Sequence, residues 1–269
     1  MEAAGYRFVV RYPAVTMLHL RTDPELATEP AAQLSAIADG LDSMVANPFG
    51  AMFTGAGPLA DAVRLAHANG ARRITLEVFP SSAEHDMFAS SAGFTLTRNI
   101  LQLRRWLPVN DIRRDEVGSV PVTRPFRPGT DDEARWLEVN NRAFAWHPDQ
   151  SDWTLDDLHR RMAEPWFDPS GFLLHEVDDR LAAFCWTKRH DEESPAAGEI
   201  FVIGVDPDFQ GRHLGRPLTL AGLDWLAAQG ITIGLLYVES DNQPALRVYS
   251  QLGFREFTSH RYYEQVLST

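Results

Sequence analysis

The chain is poor in cysteine, in positive charge and in long apolar runs. Its one cysteine, Cys185, excludes an internal disulfide framework and any multi-cysteine zinc site. Lys and Arg number 25 against 37 Asp and Glu, a formal charge of −12, which argues against general binding to a phosphate backbone. With no run of about 18 apolar residues, a transmembrane helix is not expected. The start, Met1-Glu2-Ala3-Ala4-Gly5-Tyr6-Arg7, is broken by charge and does not read as a secretory signal. A reducing cytoplasm suits these features, and an acidic surface favours a cationic substrate. What is present is ordinary for a folded protein: 44% hydrophobic and 23% charged residues, incompatible with whole-chain disorder or a collagen-like fibre.

At 269 residues the chain has room for one large domain or two ordinary ones. Pro108, Pro121, Pro125 and Pro128 cluster around the charged segment Asp111-Ile112-Arg113-Arg114-Asp115-Glu116. This predicts a linker at 108–122 between domains at 1–107 and 123–269. The two halves share a weak repeat at an offset of 160 residues. Gly55 falls on Gly215, Gly70 on Gly230, and Gly93-Phe94 on Gly253-Phe254; Leu76 and Val78 fall on Leu236 and Val238. A period this long means duplicated domains, not a solenoid of short units.

The second half reads as mixed α and β. A helix is expected over 131–144 with Thr130 as N-cap, and another from Thr154 to Met162. Strands at 171–177 and 180–188 meet at an Asp178-Asp179 turn. A strand at 199–205 is followed by a helix from Gly215 to Gln229 that Gly230 closes. A strand at 231–239 and a helix at 244–252 complete the set. Such an order makes an α+β or mixed-sheet domain.

One segment carries chemistry: Val205-Asp206-Pro207-Asp208-Phe209-Gln210-Gly211-Arg212-His213-Leu214-Gly215-Arg216. A strand runs through a glycine-containing loop into a helix. Unpaired N–H groups at a helix start, with the helix dipole, favour an anion. Glycine allows close approach of the backbone, and Arg212 and Arg216 add cationic donors. These features predict a pyrophosphate site. Pro217 is tolerated because it falls in the first helical turn.

Gln210-x-x-His213-x-Gly215 resembles the pyrophosphate loop of the GNAT-type N-acetyltransferases, which bind acetyl-CoA there. Asn242-x-x-Ala245-x-x-x-Tyr249-x-x-x-Gly253-Phe254 resembles the C-terminal signature of the same superfamily. The sequence departs at His213, where that family usually has glycine; a side chain there crowds the phosphate or constrains the loop. Further segments, among them Asn141-Arg142-Ala143-Phe144, His147-Pro148-Asp149-Gln150, Trp186-Thr187-Lys188, 198–207 and 236–242, resemble the mycothiol synthase family of tandem GNAT proteins. That likeness spans most of 123–262 and is far weaker before it.

The resemblance implies an α+β chain of two tandem GNAT-like domains, with mixed, mostly antiparallel sheets flanked by helices, the first shortened and degenerate. It implies acetyl-CoA as co-substrate, held by Ile203, Gly204, Val205, Gln210, Gly211, Arg212, His213, Leu214, Gly215 and Arg216. Asn242, Gln243, Pro244, Ala245, Leu246 and Arg247 would close over it. Asp149, Lys188, Glu199 and Tyr237 match substrate-contacting positions. Glu199 matches the general base and Tyr249 the general acid, and the acceptor is the cysteinyl amine of a cysteinyl-glucosaminyl-inositol. The expectation is a cytoplasmic monomer acting on a small amine, with no metal, nucleic acid or membrane partner.

The residues fit that chemistry. A free α-amino group has a pKa of about 7.7–8.0, so losing its proton at pH 7 costs only about 1 kcal/mol, and Glu199 need only receive it. Read without the resemblance, Glu199 is a solvated carboxylate at a strand start, Tyr249 equally a core tyrosine, and Lys188 and Asp149 exposed charges. His147 reads as loop structure, and His190 as part of a solvated turn, His190-Asp191-Glu192-Glu193. Cys185 reads as an inert strand residue. Trp136, Trp146, Trp153 and Trp166 read mostly as core or interface. At the same offset the first half has Gly50, Phe53, Met52 and Ala56 in place of Gln210, His213, Arg212 and Arg216. Ser82 replaces Asn242 and Ala89 replaces Tyr249. Only 54 residues precede Gly55 where 92 lead from Thr123 to Gly215, so the first domain is expected to bind no cofactor. Two rival functions remain: acetylation of another small amine, and a non-catalytic CoA-binding or scaffold protein.

Overall fold

The computed structural model describes residues 7–11, 17–22, 73–79, 81–118, 120–147 and 150–267. Asp149 and the first-half segment around Gly50–Gly55 and Gly70 lie outside them. The chain divides into two compact units, 1–101 with 258–269, and 102–257.

In the first unit β1 (Arg7–Arg11) pairs antiparallel with β2 (Met17–Thr22), and β2 antiparallel with β3 (Arg73–Phe79). Helix α1 (Ala83–Ser91) follows, started by a Ser82 capping box with His85. Then comes β4 (Thr95–Trp106), whose residues from Gln102 onward belong to the second unit. Leu76, Val78, Ala89, Phe94 and Tyr263 make the core of the first unit.

The second unit begins with a short helix α2 (Arg114–Val117) and β5 (Arg124–Pro125). The segment expected to be a linker therefore lies inside this unit, with Val109 and Val117 buried. Helix α3 runs Asp132–Ala143 and α4 Leu155–Met162. Thr154 caps α4 through a capping box with Asp157, as its position suggested. Thr130 is not the cap of α3; Asp131 holds that place without a side-chain bond, while the Thr130 hydroxyl accepts from Asp132 N–H. An ion network centred on the buried Asp132 fixes that helix start instead. Arg124 donates to both Asp132 oxygens at 2.7 Å, and Arg124 and Arg135 both reach Glu176.

β6 (Phe172–Val177) and β7 (Arg180–His190) form a hairpin. Its turn residues Asp178 and Asp179 have φ of 48° and 59°, the left-handed geometry that a two-residue hairpin demands. β8 (Ala197–Val205) pairs antiparallel with β7, α5 (Gly215–Ala228) follows, and β9 (Ile233–Glu239) pairs parallel with β8. Helix α6 (Gln243–Gln251) leads to β10 (Arg255–Val266). An aromatic core built on Trp136, Phe172, Phe184 and Trp186 packs α3 against β6 and β7, with Phe172 stacked on Trp186 at 4.4 Å.

The repeat is exact in its boundaries over its final third. β3, α1 and β4 span 73–79, 83–91 and 95–106; β9, α6 and β10 span 233–239, 243–251 and 255–266. Gly93 and Gly253 end the two helices at φ of 84° and 79°, a conformation open to glycine. The closing strands are exchanged. The end of β10 pairs antiparallel with β3 in the first unit, and the end of β4 stands beside β9 in the second. That exchange is why the compact units break at 101 and 258 and not in the proline-rich segment.

Candidate active site

The site grows from one discontinuity. β8 and β9 are in parallel register only over Ala197↔Ile233, Gly198↔Gly234 and Glu199↔Leu235. Beyond these pairs the two strands no longer pair, and clefts open along them. One, of about 480 Å³, is lined by Gly204, Val205, Gln210, Gly215, Pro244 and Val248, among others. The second, of about 180 Å³, is lined by Ile200, Val202, Tyr237, Glu239 and His147, among others. Both share Phe144, Trp146, Ile203, Asn242, Ala245 and Tyr249, so they adjoin.

The larger cleft ends on the start of α5. Leu214 stands at the N-cap position without a side-chain hydrogen bond, leaving the first N–H groups to an outside acceptor. A Cβ on Gly215 or Gly211 would meet nothing within 4 Å, so the loop presents bare backbone to open space. Gly211 and His213 both have positive φ, 78° and 58°. Glycine adopts this freely; histidine, among the non-glycine residues seen there, bears some strain. At Gly204 the requirement is packing, since a Cβ would come within 2.8 Å of Phe184. The loop is moored from behind. Arg142 at the end of α3 reaches Asp206 at 2.9 Å and Asp208 at 3.1 Å.

Opposite, Asn242 caps α6 by accepting from Ala245 N–H at 3.2 Å. Ile203, Gly204, Val205, Gln210, Gly215, Asn242, Pro244 and Ala245 all line the larger cleft. Gly211, Arg212, His213, Leu214, Arg216, Gln243, Leu246 and Arg247 are not among its lining. Arg212 lies over the Phe209 ring at 4.8 Å, and Arg216 donates to Gln251.

The polar side of the smaller cleft follows from strand register. Lys188, Glu199 and Leu235 are aligned across β7, β8 and β9. By the two-residue period of a strand, Lys188, His190, Glu199 and Tyr237 then share one face. Glu199 is 6% exposed and lines neither cleft itself. Tyr237, 41% exposed, lines the smaller one and accepts from Gln102 Nε2 at 2.5 Å. The Lys188 ammonium sits over the rings of Trp166 and Phe201 at 5.1 and 5.8 Å. Tyr249 is buried at the junction of the clefts, edge-on to Phe254 at 5.9 Å. Burial, with the Cys185 thiol nearby, holds its phenol above the ordinary range, so it keeps its proton at neutral pH. Cys185 itself is fully buried and its thiol is pushed up to about 12, which makes it inert.

Three features escape the sequence reading. His190 is not part of a solvated turn: it ends β7, and its Nε2 lies 2.7 Å from Glu199 Oε2. Nothing local signals this, because the partner is on the next strand. Gln102 and Arg104 come from β4 of the other repeat, with Arg104 Nε donating to Gln102 Oε1 at 2.8 Å. Glu193, in the acidic turn, lies 3.1 Å from Arg104. His147 is loop structure as expected, but it also lines the smaller cleft, with Nε2 3.9 Å from Glu239.

Residues 135–254 match the sequence profile of the Acetyltransferase (GNAT) family. They form a GNAT domain. Mycothiol acetyltransferase of Acidimicrobium ferrooxidans is 53% identical to the chain over 163 residues, covering 60% of this chain and 52% of that protein. The same-named protein of Mycobacteroides abscessus is 49% identical over 168 residues, covering 62% and 55%. The matched region thus spans about half the length of these relatives. Among solved structures, a GCN5-related N-acetyltransferase from Sphaerobacter thermophilus superposes with a TM-score of 0.59 at 17% identity, covering 93% of this chain and 76% of that one. A tandem GNAT protein from the clavulanic acid biosynthesis pathway gives 0.57 at 17%, covering 97% and 82%. At such identity these two speak to fold alone: α+β, with mixed sheets flanked by helices. In the GNAT domain the two clefts lie where β8 and β9 part. Among the described residues no helix is long and apolar enough to cross a membrane.

Proposed function

We propose that the chain is an acetyl-CoA-dependent N-acetyltransferase, and that its acceptor is the cysteinyl amine of a cysteinyl-glucosaminyl-inositol. The observation that carries the reading is the pair of adjoining clefts. One ends on uncapped helix N–H groups and bare glycine backbone, the other is lined by Tyr237 with Glu199 set back from it, and they meet at Ile203 and Tyr249. The relatives at about half identity, each named a mycothiol acetyltransferase, support that choice of acceptor.

In this reading the start of α5 receives the pyrophosphate, with Gly211 and Gly215 permitting close approach. Gln210, Arg212, His213, Leu214 and Arg216 belong to that loop. Asn242, Gln243, Pro244, Ala245, Leu246 and Arg247 cover the opposite side. Ile203, Gly204 and Val205 lie along the cofactor, and a backbone N–H of this strand segment polarises the reacting carbonyl and stabilises its developing negative charge. Glu199, set back from the cleft, takes the proton of the acceptor amine through a water. Tyr249, protonated at the junction, returns a proton to the departing thiolate. Lys188, Tyr237 and Asp149 bind acceptor hydroxyls or its amine. The catalytic unit is 102–257, and the unit formed by 1–101 with 258–269 is a cofactor-free copy. Acetyl-CoA is a cytoplasmic metabolite, so the reading carries a cytoplasmic location.

The test is incubation of the full chain with acetyl-CoA and a panel of amines that includes the cysteinyl pseudodisaccharide, with detection of free thiol. Preferential acetylation of that acceptor is the expected result. Preference for another amine would keep the reaction class and replace the acceptor. Binding of acetyl-CoA with no acetylation of any amine would favour the scaffold role. Calorimetry should count one acetyl-CoA per chain; two would end the idea of a cofactor-free first half.

A further inference from the structure

We propose that His190 is a positioning residue for Glu199, holding that buried carboxylate in one orientation beside the acceptor cleft. The proposal rests on the acyltransferase reading and adds a residue to it. Its ground is the geometry at the end of β7. His190 Nε2 is 2.7 Å from Glu199 Oε2, and His190 Nδ1 is 3.3 Å from Glu192 Oε1. The imidazole side chain is 14% exposed and that of Glu199 8%. A ring with a carboxylate at each nitrogen is best satisfied as the imidazolium, which donates from both.

The fold leaves little choice in the arrangement. His190 is two residues beyond Lys188, which is in register with Glu199, so both side chains come up beside that carboxylate. The charged and titratable groups around the pair are Lys188 on β7, Glu192 in the following turn and Tyr237 on β9, which feels the Glu199 charge. Burial pulls the imidazole down and Lys188 adds to that. The hydrogen bond and charge of Glu199, with Glu192, outweigh both and leave it above its ordinary value. The contact at 2.7 Å fixes which way the Glu199 carboxylate is turned, and only a correctly placed carboxylate can take a proton from an amine. The same turn anchors a second chain. Glu193 holds Arg104, Arg104 holds Gln102, and Gln102 donates to the Tyr237 oxygen. The acidic turn thus supports two groups on one face of the sheet, Glu199 and Tyr237, and the His190 contact bears directly on the base.

Two measurements on the full-length chain decide the matter. One follows the His190 ring by NMR against pH in the unaltered chain and in Glu199→Gln. The other takes kcat/KM against pH with acetyl-CoA and cysteinyl-glucosaminyl-inositol for His190→Gln, which keeps a donor but has no charge. An opposite charge at this distance shifts a carboxylate by about one pH unit or more. The acid limb should therefore move up by about one unit in His190→Gln, with a loss of about tenfold below it. Acetyl-CoA affinity, read by calorimetry, should stay as it was. Should that variant fold poorly, Glu192→Gln, altering an exposed side chain (76%), should shift the limb the same way and by less. His190 should titrate lower in Glu199→Gln. An unmoved imidazole there would overturn the proposal. So would an unmoved acid limb in His190→Gln alongside an inactive Glu199→Gln, and that outcome leaves the acyltransferase reading standing. Full turnover in Glu199→Gln would remove the base and this proposal with it. If no amine is acetylated at all, the functional reading fails and the imidazole titration still decides the pairing.

Discussion

The strand-helix-strand unit at 73–106 and its counterpart at 233–266 are the same frame built twice. Both helices start on a side-chain cap, Ser82 in one and Asn242 in the other. Both end on a glycine of positive φ, followed by a phenylalanine whose N–H donates to the residue five back, Ala89 or Tyr249. What differs is what the frame carries. Ala89 is sealed in the core of the first unit, while Tyr249 stands at the meeting of two clefts. β3 has an antiparallel partner in β2 from Ile74 to Phe79, whereas β9 is parallel to β8 for three pairs only. Caps, glycines and apolar positions specify the frame; the parting of two parallel strands and a few side chains specify the chemistry.

That comparison can be broken or sharpened by substitution. The largest effect should come from Glu199→Gln, on the strand whose parting from β9 opens the clefts. Turnover should fall about 100-fold or more with acetyl-CoA affinity unchanged by calorimetry; unchanged turnover would count against a base on that strand. Tyr249→Phe keeps the ring against Phe254 and removes only the hydroxyl. It should slow thiol release by about tenfold or more, and equal rates in a single-turnover assay would return Tyr249 to the role of Ala89. The frame should fail separately from the chemistry. The carboxyl of Asp132, which burial alone would raise, is held at about 2 by Arg124 and Arg127. Its folded value lies below its unfolded one, so its stabilisation is complete above about pH 4 and lost as pH falls toward 2. The loss amounts to about 2 kcal/mol, and acid denaturation of Asp132→Asn should lack it.

Ser82→Ala and Asn242→Ala should each lower stability by about 1 kcal/mol in denaturant titrations. Only the second should also weaken acetyl-CoA binding, because only that cap lines a cleft. The smallest effect should be at His213. His213→Gly removes a side chain from a left-handed position and should tighten acetyl-CoA binding by up to about 1 kcal/mol. Weaker binding in calorimetry would mean that the imidazole belongs to the site.

Much of the second unit was legible because its signals are local. The Asp178-Asp179 turn, the Thr154 cap, the glycines at 211 and 215 and the α5 and α6 helices all announce themselves within a few residues. Thr130 misled because Asp132, two residues on, is held by an arginine network drawn from β5 and α3. His190 misled because an acidic turn usually faces water, and its deciding partner lies nine residues away on the neighbouring strand. Gln102 and Arg104 carried no signal, since only the strand exchange takes them from one repeat to the other.

By itself the sequence determined the period of the duplication, the kind of element at most positions of the second half and the glycine-bearing loop that leads into α5. Each of these depends on backbone conformation and apolar spacing over a few residues. Tertiary structure alone decided which strand each repeat closes with, where β8 and β9 part, and which histidine meets Glu199. Those outcomes depend on strand register between distant segments, and a register is settled only when both strands bury the same face together.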